Sequence, residues 1–115
     1  MQLKSGKVLW LIGNSNAGKT FLAKEIVKEY GGILLDASMM RTCWTLGFGA
    51  ESRYENNLRI ARIAKILAAQ GYDIVIASIC PYKALREMIR EITEVEFIEL
   101  LGRDATEDYP YETES

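Results

Sequence analysis

Residues Gly13 to Thr20 read GNSNAGKT and follow directly on the apolar run KVLWLI, Lys7 to Ile12. The octet fits G-x-x-x-x-G-K-[ST], which average residue usage produces by chance in roughly one chain of this length in a few hundred. The spacing has a physical reason. Glycines at 13 and 18 let the backbone curl so that successive N–H groups point inward at an anion, and a helix opening behind them adds the positive end of its dipole. Lys19 brings a point charge to the outer phosphates, and the Thr20 hydroxyl is placed to sit on a magnesium ion. The cradle therefore comprises Gly13, Asn14, Ser15, Asn16, Ala17, Gly18, Lys19 and Thr20. A glycine-rich turn that binds nothing is the bland alternative, and the strand pattern before it and the helix pattern after it weigh against that.

The loop also dictates its neighbours. KVLWLI is the continuous apolar run of a strand buried on both faces. Phe21, Leu22, Ile26 and Val27 recur at helical spacing in a segment that ends at Gly31 and Gly32. Ile33 to Leu35 is a second strand closing on Asp36, followed by a short helix over Met39 to Thr45 and a loop. Ser52 with Glu55 three residues on reads as a capping box for a long helix, whose apolar face runs from Leu58 to Ala68 before Gly71. Asp73 to Ser78 is a third strand, Pro81 to Ile92 a helix and Phe97 to Leu101 a fourth strand. Strands alternating with helices mean parallel strands joined by crossovers, and so a three-layer α/β/α sandwich of the P-loop NTPase, nucleotide-kinase-like kind. The expected organisation is a core over residues 1–101 and an acidic tail over 102–115, either docked on the core or disordered. Lys83 and Arg86 read as a solvated helix face.

Composition narrows the chemistry. With 115 residues, 49% hydrophobic and 26% charged, the chain is ordinary for one globular domain. A net charge of -2 offers no polybasic footprint for nucleic acid or an anionic membrane, so neither is an expected partner. There is no His, which excludes His-dependent triads and His metal sites, and two cysteines cannot cage a metal. Cys43 and Cys80 read as two reduced thiols. The N-terminal apolar run ends in Gly13 and Asn14 with no small-residue cleavage site, and no window approaches the roughly 18 apolar residues of a membrane span. The expectation is a soluble, cytoplasmic protein. GTPases need a base-reading motif such as N-K-x-D, which is lacking, and motor ATPases are larger, which leaves a small kinase using MgATP.

Five further motifs, in order, resemble the adenylylsulfate (APS) kinase family. Val8, Trp10 and Gly13 match its V-x-W-x-x-G, and LLDASMMR resembles its L-L-D-G-D-x-x-R through Leu34, Leu35, Asp36 and Arg41. Leu46, Gly47, Phe48, Arg53, Glu55 and Asn56 match L-G-F-x-x-x-x-R-x-E-N. Cys80, Pro81, Tyr82, Lys83 and Arg86 resemble a strand end in S-P with basic residues after it, and EFIEL at 96–100 resembles R-F-I-E-V. The resemblance implies transfer of the ATP γ-phosphoryl to the 3′-hydroxyl of adenylylsulfate. It assigns catalysis to Lys19 and Asp36, and substrate contacts to Asp36, Arg41, Phe48, Arg53, Asn56 and the backbone of Ile79, Cys80 and Pro81. Arg103 would stack on the nucleotide base. Family members are commonly dimers, which leaves a homodimer open.

Ser38 stands where the family has a second Asp, keeping a hydrogen bond but losing a charge, so weakened or redirected catalysis is one expectation. After Leu101 the family continues with a basic lid and a last helix. Here Arg103 and Asp104 resemble the lid's start and DYPYE, Asp108 to Glu112, a later family motif, so the expectation is a shortened member lacking most of the lid and the C-terminal helix. A kinase with a different small hydroxyl acceptor, and an ATP-binding module without kinase activity, stay open beside the main reading.

Overall fold

The computed structural model describes residues 6–14, 17–102 and 110–114. The alternation is present as β1 (Val8–Ile12), α1 (Lys19–Tyr30), β2 (Ile33–Asp36), α2 (Ala37–Cys43), α3 (Ala50–Ala69), β3 (Ile74–Ala77), α4 (Lys83–Ile92) and β4 (Glu96–Glu99). The strands form one sheet in the order β2-β3-β1-β4, with every pairing parallel. Strand period places Val8, Trp10 and Ile12 on one face, where Leu58, Ile60, Ala61 and Ala64 of α3 and Leu85 and Ile89 of α4 pack. Leu11 faces the other way, with Val75 and Ala77, onto Ala23, Leu22, Ile26 and Val27 of α1. Helices on both faces make the three-layer sandwich that the alternation leads to. Leu11 pairs with Ala77 and Ile98, and Asp36 with Ala77. All four strands therefore end along one edge, where parallel sheets bind ligands. Among the described residues no helix is long and apolar enough to cross a membrane.

Several boundaries differ from the sequence expectation for local reasons. Helix α2 begins two residues early because Asp36 is its N-cap, the carboxylate accepting from the Ser38 N–H at 3.0 Å. Ser52 and Glu55 form no capping box. The extended Gly49 starts α3, its carbonyl accepting from the Arg53 N–H at 2.9 Å, and Glu55 pairs with Arg59 at 2.7 Å. Ile66 is exposed rather than part of the packed face. Strand β4 starts one residue early, at Glu96.

Arg86 corrects the sequence reading most. Its side chain is 0% exposed, sharing a face of α4 with Leu85 and Ile89. Its Nε donates to the Cys80 carbonyl at 3.0 Å, Nη2 to the Glu112 carbonyl at 2.7 Å and Nη1 to Glu114 at 3.0 Å. The Tyr111 ring lies 4.8 Å from the guanidinium carbon. Residues 110–114 are thus docked on the core. Lys83 alone is solvated as expected. Removing one partner of a buried ion pair strands the other groups, so Arg86→Ala is expected to cost about 3 kcal/mol in urea unfolding, the low end because Glu114 is partly exposed. Lys83→Ala should stay within about 0.5 kcal/mol.

Candidate active site

The loop after β1 is built around its glycines. Gly13 has φ +143°, and a Cβ there would sit 2.1 Å from the Leu100 carbonyl oxygen, so only glycine lets β4 pass this close. Gly18 is left-handed and caps α1 without a side chain, which leaves the first-turn amides for an anion. Asn14 is buried, and its carbonyl accepts from Lys19 Nζ at 2.8 Å. Ser15, Asn16 and Arg103 lie outside the described residues.

Burial pushes the Lys19 ammonium down to about 8, with Asp36 pulling the other way. Thr20 Oγ1 donates to Asp36 Oδ2 at 3.2 Å, while the Ser38 hydroxyl donates to Asp36 Oδ1 at 2.7 Å. Oxygens of a hydroxyl and a carboxylate side by side suit a magnesium ion, which takes one or two carboxylates and completes its shell with substrate phosphates and water. No cluster of three or more His, Cys, Asp or Glu able to hold a metal occurs among the described residues.

Beyond Asp36 a cavity of about 280 Å³ continues. The structure gathers around it Asp36, Arg41, Phe48, Arg53, Asn56, Ile79, Cys80 and Pro81, together with Lys19 and Thr20. Asp36 ends β2, Ile79 to Pro81 follow β3, Lys19 and Thr20 open α1, Arg53 and Asn56 lie in the first turns of α3, Arg41 is in the last turn of α2 and Phe48 in the loop after it. The Arg41 guanidinium stacks 4.0 Å from the centre of the exposed Phe48 ring. Burial and then repulsion from Arg53 hold Arg41 below its ordinary pKa, opposed by Asp36, so the two guanidiniums present a cationic wall that an anionic ligand would relieve. Asn56 is different in kind. Its amide is already committed, Nδ2 donating to the Ala37 carbonyl at 3.2 Å and Oδ1 accepting from Trp44 at 2.8 Å, so it braces α2.

The sequence reading passed over Ser78 and Asn57, which also line the cavity. Trp10 Nε1 donates to Ser78 at 2.7 Å, Ser78 donates to Asn57 Oδ1 at 2.9 Å, and Asn57 Nδ2 donates to the Arg53 carbonyl at 2.8 Å. This buried chain ties β1 and β3 to the turn of α3 that carries Arg53. A polar pair at a strand end and a helix face was the available signal. A larger groove of about 600 Å³ opens at the opposite, amino end of the sheet beside Lys7, Tyr30 and Asp73, far from the phosphate loop. Volume therefore does not select the site; the convergence of side chains does.

Parallel strands in this order, with a phosphate loop after β1 and a cationic pocket at the strand ends, define a P-loop kinase fold. The sequence matches the family model for adenylylsulphate kinase over residues 5–108. An adenylyl-sulfate kinase of Myxococcus xanthus is 34% identical over 109 residues, 87% of this chain and 59% of that protein. One from Pseudomonas aeruginosa is 38% identical over 101 residues, 81% of this chain and 52% of that protein. The solved structure of the Mycobacterium tuberculosis APS kinase in complex with AMPPNP and APS aligns with a TM-score of 0.70 at 28% identity, over 86% of this chain and 63% of that one. The chain belongs to the adenylylsulphate kinase family. It spans a little over half the length of these curated relatives.

Lys19 gives the pocket a pH signature. The folded chain releases this proton near pH 8 and the unfolded chain near 10.5, so between these values the unfolded state binds more protons and stability rises with pH. Below the lower value the dependence vanishes. NMR titration of the Lys19 side chain is expected to show the low midpoint, and Lys19→Met to remove the alkaline rise in stability.

Proposed function

We propose that this cleft transfers the γ-phosphoryl group of ATP to the 3′-hydroxyl of adenylylsulfate, giving 3′-phosphoadenylylsulfate and ADP. The observation that carries the reading is the single cavity that joins Lys19 and Thr20 of the phosphate loop to Asp36, Arg41, Phe48 and Arg53. Family membership supplies the substrate class.

In this reading the loop amides and Lys19 hold the β- and γ-phosphates and stabilise the charge that moves between them. Lys19 is partly desolvated in the fold, which lowers its pKa to about 8 but leaves it mostly charged at neutral pH, so phosphate oxygens displace less water when they bind it. Asp36 Oδ2 accepts the proton of the 3′-hydroxyl as that oxygen bonds to the γ-phosphorus and the bond to the β-phosphate oxygen breaks. Ser38 keeps Oδ1 occupied, which aims Oδ2 at the Thr20 side. Arg41 and Arg53 match the sulfate and phosphate oxygens of the acceptor, and Phe48, carrying Arg41 on one face, offers the other to adenine. Thr20 would hold magnesium, which when bound neutralises phosphate charge. Free thiols at Cys43 and Cys80 suit a reducing cytoplasm.

An ADP-release assay tests this. Adenylylsulfate should stimulate ADP formation one for one with product, Lys19→Ala should abolish it, and Asp36→Asn should lower kcat by about 10²–10⁴ with the acceptor KM little changed. ADP release indifferent to adenylylsulfate contradicts the proposal.

A further inference from the structure

We infer that residues 110–114 are a positioning device for the acceptor cavity, holding its Cys80–Pro81 wall in place through Arg86 and the first turn of α4. The wall is a short stretch between β3 and α4 with one face on the cavity. Cys80 has φ 45°, a left-handed conformation that a non-glycine residue keeps only where its surroundings over-determine it. Three contacts do so. The Cys80 carbonyl accepts from Arg86 Nε at 3.0 Å, the Pro81 carbonyl accepts from the Glu112 N–H at 2.7 Å, and the Lys83 N–H donates to Glu112 Oε1 at 2.7 Å. That last contact replaces a missing cap, since Tyr82 offers α4 no side-chain acceptor.

The segment is itself anchored away from the wall. Tyr111 donates to Glu99 at 2.6 Å, the Glu114 N–H donates to the same carboxylate at 3.0 Å, and Glu114 Oε1 meets Arg90 Nη2 at 3.3 Å. Residues 110–114 thus bridge β4, α4 and the cavity wall. On the near side, the Gly13 N–H donates to the Ile79 carbonyl at 3.4 Å, so the stretch is pinned by the phosphate loop at one end and by this segment at the other. Loosening the far end moves the acceptor wall and leaves the phosphate loop's own contacts intact. Acceptor affinity is therefore the quantity it controls.

The acceptor arm of the test rests on the proposed function; a thiol arm does not. In the full chain with Cys43→Ser, Cys80 is the remaining thiol, wholly buried and with its pKa pushed up to about 12 chiefly by burial, so an aromatic disulfide reagent should label it very slowly. Glu112→Ala with Glu114→Ala should speed labelling and raise the adenylylsulfate KM, each about tenfold, the effect of losing one modest interaction. ATP KM and kcat should hold within about twofold, a change well under that of one such interaction. Glu112→Gln, which keeps an acceptor for the Lys83 N–H, should restore slow labelling. Unchanged labelling with unchanged acceptor KM overturns the proposal. So does an equal loss of acceptor affinity and ATP affinity, which would mark general loosening. If the parent protein does not use adenylylsulfate, the functional reading fails, and the labelling rates alone decide: faster labelling in the double variant upholds the wall contact, and equal rates overturn it.

Discussion

The Asp36 carboxylate divides its two oxygens between the halves of the cleft. Oδ2 accepts from Thr20 at the start of α1, and Oδ1 accepts from the amide and hydroxyl of Ser38 at the start of α2. One side chain thus ends β2, caps α2 and faces the phosphate loop, where its charge opposes the desolvation of Lys19. The same charge steadies Arg41 against Arg53. Without it, α2 would lose its cap, and Lys19 and Arg41 would lose the charge that opposes their desolvation. The location follows from topology. β2 sits at the edge of the sheet beside β3, and parallel pairing brings its last residue level with Ala77, next to the cavity.

Much of this was legible in the sequence because it depends on local rules. A glycine whose Cβ would strike the Leu100 carbonyl must be glycine, and the G-x-x-x-x-G-K-T spacing records that need in the chain. Apolar period separates Trp10 from Leu11 onto opposite faces and so foretells layers. The pocket residues were legible only through ordered motifs. Nothing in an isolated Arg41 or Phe48 says that one stacks on the other.

The misses share a cause: the deciding partner is distant or competes locally. Arg86 looks like any surface arginine until Glu112 and Glu114, 26 and 28 residues on, return to it. Ser52 and Glu55 have the right chemistry for a cap, yet Gly49 begins the helix first. Ser38 looked like a lost charge, and in the fold it is a donor that orients the charge that remains. In each case residue type was read correctly and geometry assigned the role. Arg86 shows the cost of that gap: a cation in the core needs partners that no helical period reveals.

The proposed chemistry depends on the phosphate loop and the Arg41–Arg53 pocket forming a single cleft that converges on Asp36. A crystal structure with MgADP and adenylylsulfate tests it most directly. The ADP β-phosphate should lie over the Gly18 and Lys19 amides, adenylylsulfate between Phe48 and the Cys80–Pro81 wall, and its 3′-oxygen within hydrogen-bond distance of Asp36 Oδ2. Adenylylsulfate bound elsewhere, or bound in the cavity with its 3′-oxygen turned away from Asp36, would contradict it.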